Sequence, residues 1–334
     1  DGHGRRCGRH DESLFRSIAQ GVRCFRGLVN PPGYREAMTF NDNVRVDTSK
    51  VSKRSGARRG GAIAGGGIGI ALLLMIGSQL LGVNLAPFQP VVEQLVGGGS
   101  SVEAGQEVAL TGCETGADAN EDIECRMAAA SDSLDRYWAT QVGNYRSPGT
   151  TRLFTGQTES ACGAASSATG PFYCPTDETI YIDVAFFETL RSDYGASGGS
   201  LAQMYVLAHE WGHHISNLIG SLQNVGRETG PSSGSVRLEL QADCFAGAWV
   251  QNAQTVTDDS GVAFLKPVTQ AEIADAMNAA GTVGDDHIME SAGVGVDPER
   301  FTHGTSEQRQ RWFMTGYEQG PTACGTFDVA ASAL

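Results

Sequence analysis

Residues 200–218 read SLAQMYVLAHEWGHHISNL, and the five from His209 to His213 fit the pattern His-Glu-x-x-His. Tyr205, Ala208, Gly212 and Ile215 recur at helical spacing, with Ser200 placed to cap the segment and Gly220 to stop it. Residues i and i+4 of a helix stack on one face, so His209 and His213 present two imidazoles to one ion. Glu210 falls about 100° further round the helix, beside that face, where its carboxylate reaches a water without ligating the ion. A rigid, apolar helix is the support such ligands need.

A hydrolytic zinc site takes three protein ligands and keeps a fourth position open. A metzincin would carry Gly at 216 and His at 219; Ser216 and Ile219 exclude that class. His214 adjoins His213 and points elsewhere round the helix. Asp285 and Asp286 are candidates from a loop. Glu239 is the strongest, in a second helical pattern from Ser235 to Asn252. It shares a face with Asp243, and Leu238, Leu240, Ala242, Phe245 and Ala246 surround the pair. Carboxylates in such surroundings need a metal or an imidazole as partner. Glu239 then ligates, while Asp243 accepts the outer N–H of a ligand imidazole and fixes its tautomer. Arg237 is placed to orient Asp243 or the substrate.

Outward from these helices, Glu121–Gln141 reads as an amphipathic helix, and Ile180, Ile182 and Val184 alternate with Tyr181 and Asp183 as a strand does. Thr269 with Glu272 and Thr305 with Gln308 have capping-box spacing and open two more helices, ending near Gly281 and Gly320. Helices following a short strand region indicate an α+β fold, mainly helical with a small sheet.

The charge is unevenly spread. Residues 1–83 carry 13 Lys/Arg and 6 Asp/Glu, a net +7; residues 84–334 carry 11 and 32, a net −21. So acidic a body repels phosphate backbones, which argues against a nucleic-acid partner. No charged residue occurs from Gly60 to Phe88, and Ala62–Val83 is apolar or small almost throughout, about 33 Å as a helix and enough to cross a bilayer. Lys50, Lys53, Arg54, Arg58 and Arg59 precede it, so the positive-inside bias predicts a cytoplasmic N-terminus and an extracytoplasmic domain, anchored as a single-pass membrane protein. The expected layout is a disordered, basic tail over 1–60 (its first 37 residues unlike the rest), a transmembrane helix over 61–83, a flexible linker over 84–111, and a catalytic domain over 112–334. Cys113, Cys125, Cys162, Cys174, Cys244 and Cys324 all follow the apolar stretch. Local bridges Cys113–Cys125 and Cys162–Cys174 and a long-range Cys244–Cys324 closure are expected in an oxidising compartment.

HEWGHH, then RLELQADCFAGAW, with GPFYCPTDETIYID upstream and FTHGTSEQRQRWF near the end, resemble the putative neutral zinc metallopeptidase family of bacteria. The resemblance covers the apolar stretch and nearly everything from Cys113 onward. It implies a zincin-like fold of the gluzincin type, a single membrane span, His209, His213 and Glu239 as zinc ligands, and Glu210 as the catalytic residue. Thr302-His303-Gly304 with Arg309 is similar to the tail motif of the membrane CAAX-protease and HtpX families, from which Gly304 departs. The expected reaction is hydrolysis of peptide bonds in extracytoplasmic proteins by a zinc-activated water, with Glu210 as general base. His303 is the candidate further donor, and His287 the reserve. The rival readings are a membrane-anchored scaffold with a non-catalytic zinc site and a zinc amidase acting on cell-wall material.

Overall fold

The computed structural model describes residues 39–54, 107–167 and 169–334. Its strands are β1 (Val51–Arg54), β2 (Glu107–Ala109), β3 (Thr151–Phe154), β4 (Gln157–Ser160), β5 (Gly163–Ser166), β6 (Phe172–Cys174) and β7 (Thr179–Asp183). Its helices are α1 (Gly116–Glu121), α2 (Ile123–Gln141), α3 (Phe186–Ser192), α4 (Ser200–Leu218), α5 (Gly234–Asn252), α6 (Gln270–Thr282), α7 (Asp285–Ser291) and α8 (Ser306–Gln319). This is the expected α+β class. The main sheet runs β2-β1-β3-β7-β6, parallel across β1-β3-β7 and antiparallel at both margins; β4 and β5 form a separate hairpin.

Local chemistry sets the helix ends. The Thr269 and Thr305 capping boxes form, and Asp122 and Ser233 cap α2 and α5 through their side chains. Ser200 does not cap α4: it is the first helical residue, and Gly199 before it is the N-cap. The apolar sides of α2, α4, α5 and α8 close over a core containing Trp138, Trp211, Trp249 and Phe313, each nearly or fully buried. Helices α5 and α8 cross where neither can carry a side chain. A Cβ on Gly247 would stand 1.9 Å from the Phe313 carbonyl oxygen, and one on Gly316 1.8 Å from that of Cys244. The Cys244–Cys324 bridge lies beside this crossing, and Cys113–Cys125 and Cys162–Cys174 also form, the three expected pairings.

Two expectations about the N-terminal part need correction. Residues 39–54 are not a free tail. Phe40 and Val44 are fully buried in the core. The Asn120 amide grips the backbone of Phe40, accepting from its N–H at 2.9 Å and donating to its carbonyl at 3.0 Å. Asn41 donates to the carbonyls of Ala263 and Leu265, and the Arg45 N–H donates to Asp258. Strand β1 then lies inside the main sheet. The domain also begins before residue 112, since β2 belongs to the same sheet. A short basic segment reads as a tail because its anchoring depends on partners far along the chain, among them Asn120 at 80 residues and Leu265 at 224. The proposed membrane helix over 61–83 lies outside the described residues; among those described, no helix is long and apolar enough to cross a membrane.

Truncating Phe40 should therefore act as a core mutation. Phe40→Ala is expected to lower unfolding free energy by roughly 3–5 kcal/mol, as loss of a buried aromatic does. A shift in denaturation midpoint without a change in slope would show it; a shift below about 0.5 kcal/mol, the range of surface changes, would contradict the docking.

Candidate metal centre

Helices α4 and α5 lie unusually close where the ligands project. A Cβ on Gly212 would fall 2.8 Å from the Cα and carbonyl oxygen of Ala242, so the glycine inside His-Glu-Trp-Gly-His is what lets the two backbones approach. At that approach, one helix presents His209 and His213, and the other presents Glu239; all three are at least nine-tenths buried. The two Nε2 atoms are 3.1 Å apart, His209 Nε2 is 3.2 Å from Glu239 Oε2, and His213 Nε2 is 3.5 Å from Glu239 Oε1. A tetrahedral zinc with bonds of about 2.0–2.1 Å spaces its ligand atoms about 3.3 Å apart. The donor set therefore fits a zinc ion in size and chemistry.

Asp243, one turn beyond Glu239, accepts from His209 Nδ1 at 2.8 Å, which turns the Nε2 lone pair toward the centre. The Tyr205 hydroxyl donates to that same Asp243 oxygen, and the other accepts from Arg309 Nε at 2.8 Å. Arg309, from α8, also lies 3.9 Å from Glu239. Glu239 and Asp243 thus face one buried guanidinium, and with Glu210 lining the same cavity the carboxylates outnumber it, an excess of negative charge that a divalent cation offsets. Proton affinities carry the same sign. Burial opposes a charge on His209, but Asp243 and Glu239 override it and lift its pKa to about 10. Burial likewise works against the Glu239 carboxylate, yet the imidazoles, His213 foremost, hold its pKa far below the usual range. Burial, reinforced by Glu239, raises Glu210 to about 7, where it can both take and return a proton.

His303 lines the same cavity, together with Phe172, Tyr173, Val206 and Ile288. Its Nδ1 is 3.1 Å from Asp285 Oδ1 and 2.9 Å from Thr302 Oγ1. Burial disfavours the charged ring, but the Asp285 carboxylate outweighs it and the pKa moves up. Asp285 is therefore occupied: it also accepts the backbone N–H groups of Thr302, His303 and Gly304. Asp286 accepts from Ser306 and caps that turn. Neither aspartate joins the ligand triangle. His287 faces the Tyr194 carbonyl, away from the cavity lining, and His214 is held between the Tyr173 hydroxyl and the Arg146 carbonyl.

Arg237 does not orient Asp243. It donates to the carbonyls of Thr326 and Val329, tying down the C-terminal segment. The cation at Asp243 is Arg309, 66 residues away in sequence. The distance in chain hid it, although an arginine on the buried face of a capped helix was a usable signal. Nor does β7 offer an edge for an extended ligand: β3 and β6 occupy both of its sides, and the margin of the sheet at the site is β6.

Asp243→Asn should weaken metal binding by about 10–100-fold, the usual cost of losing an imidazole's outer partner. Chelator competition checks this; unchanged affinity would remove Asp243 from the centre.

The family model described as "Putative neutral zinc metallopeptidase" matches residues 35–327. An uncharacterized protein of Mycobacterium tuberculosis (Rv2575) is 44% identical over 296 residues, 88% of this chain and 99% of the relative. The uncharacterized protein YpfJ of Escherichia coli K12 is 38% identical over 208 residues, 60% of this chain and 69% of the relative. No solved structure matches. With almost its whole described length matched, and with the ligand triangle in place, the chain belongs to the putative neutral zinc metallopeptidase family.

Proposed function

We propose that the chain is a zinc endopeptidase that hydrolyses peptide bonds of proteins outside the cytoplasm. The observation carrying this reading is Glu210. It lines the cavity beside the three converging ligand atoms and outside their triangle. A purely structural zinc site is closed by four protein ligands and has no use for such an acid.

Zinc bound there supplies Lewis acidity to a water and to the scissile carbonyl. Glu210 takes the proton from the attacking water and returns it to the departing amine. The Tyr173 backbone N–H donates to Glu210 and orients it. His303, with Nδ1 held by Asp285, has Nε2 left to donate to the developing oxyanion. Tyr205, Asp243 and Arg309 act one layer further out, fixing the His209 ring. Strand β6 is the sheet margin beside the site, and Phe172 and Tyr173 on it line the cavity, where an extended peptide can lie along the strand. The three disulfides support an oxidising compartment for the domain.

The test is mass spectrometry of a random peptide mixture and, in parallel, of cell-wall peptidoglycan fragments, each incubated with zinc-loaded chain. Cleavage within ordinary peptide bonds is expected. Release of cell-wall amides with intact peptides would replace the endopeptidase reading with an amidase, and no turnover of either would favour a scaffold.

A further inference from the structure

The main sheet joins two parts of the chain that the charge bias assigns to opposite sides of a membrane. Strand β1 precedes the apolar stretch over 61–83; β2 and β3 follow it. Yet β1 pairs antiparallel with β2, Arg54 opposite Glu107, and parallel with β3, Lys53 opposite Leu153. Arg54 and Glu107, the described residues on either side of 55–106, are thus direct partners in one ladder, about 5 Å apart.

The docking extends well beyond β1. The Val46 N–H donates to the Glu114 carbonyl and the Gly116 N–H to that of Val44, each close to 3 Å. The Cβ that Gly116 lacks would sit 2.0 Å from the Asn41 carbonyl oxygen, so α1 is shaped to receive this segment. With residues 39–54 across a bilayer, the core sites of Phe40 and Val44 would be empty and the β3 ladder exposed.

We propose that residues 39–54 and the domain from residue 107 onward lie in the same compartment, outside the cytoplasm, so that 61–83 is not a single membrane span. Shared placement follows from the strand pairing. The compartment follows from three disulfides, one of which, Cys113–Cys125, lies in the part that holds β1 and its flank. None of this depends on the peptidase reading.

The test uses the full chain in a bacterial host, with one epitope before Asp1 and a second in the exposed loop at Gly295. External protease is added to spheroplasts and both epitopes are followed. Loss of both from intact spheroplasts is the expected result. A protected first epitope with a degraded second shows a single span and overturns the proposal. Protection of both until lysis places the domain in the cytoplasm and overturns the compartment. Either failure leaves zinc binding and peptide cleavage untouched, so it is distinguishable from failure of the peptidase reading.

Discussion

Glu210→Gln is expected to lower kcat/KM for peptide cleavage by about a thousandfold, within the roughly 10²–10⁴ that a positioned general base contributes. The amide keeps the size of the side chain and an oxygen to accept the Tyr173 N–H, but it cannot take a proton from water. Glu210 stands outside the triangle of His209, His213 and Glu239, so zinc content should stay at one per chain. That separation is the informative part. Loss of activity with zinc retained assigns Glu210 to the chemistry; loss of both would make it a ligand or a structural residue, and full activity would remove it from the mechanism.

The second large effect is at Glu239. Glu239→Gln replaces a buried anion with a neutral amide, a poorer ligand, and leaves Arg309 with Asp243 as its remaining carboxylate. The expected loss of zinc affinity exceeds the roughly 10–100-fold typical of an outer partner, and activity falls with zinc occupancy. Direct competition with a chromogenic chelator measures it. Native affinity in this variant would mean that another residue closes the site. Asp285 is poorly placed to do so, because its oxygens already hold the turn from Thr302 to Gly304.

The parts of this protein legible in the sequence are those governed by short-range rules. His209, Glu210 and His213 follow from helical spacing, and α4 ends at the expected Leu218 while starting one residue before the expected cap would allow. Glu239 and Asp243 were legible because carboxylates in an apolar helix demand partners, and the structure brings both to the histidines. Capping boxes fixed the starts of α6 and α8 to the residue. Long-range contacts were not legible. Arg309 shares a helix face with Trp312, Phe313 and Gly316, but it meets Asp243 only after α8 packs on α5, and no local pattern names that partner. Strands β1, β2 and β3 are three or four residues long, too short for alternation to be counted, and β1 carries two basic residues. Its place in the sheet comes from pairing, which composition does not encode. Charge counting thus gave residues 39–54 to a tail, although Phe40 and Val44 are core residues.

The central claim is that the His209–His213–Glu239 centre hydrolyses peptide bonds. Its most direct test is cleavage of an unfolded protein substrate by chain 39–334, stripped of metal and then titrated with zinc. Activity should be absent without metal, rise with zinc, and reach its plateau at one equivalent per chain. Cleavage that persists without metal, or none at a full equivalent of bound zinc, would contradict it.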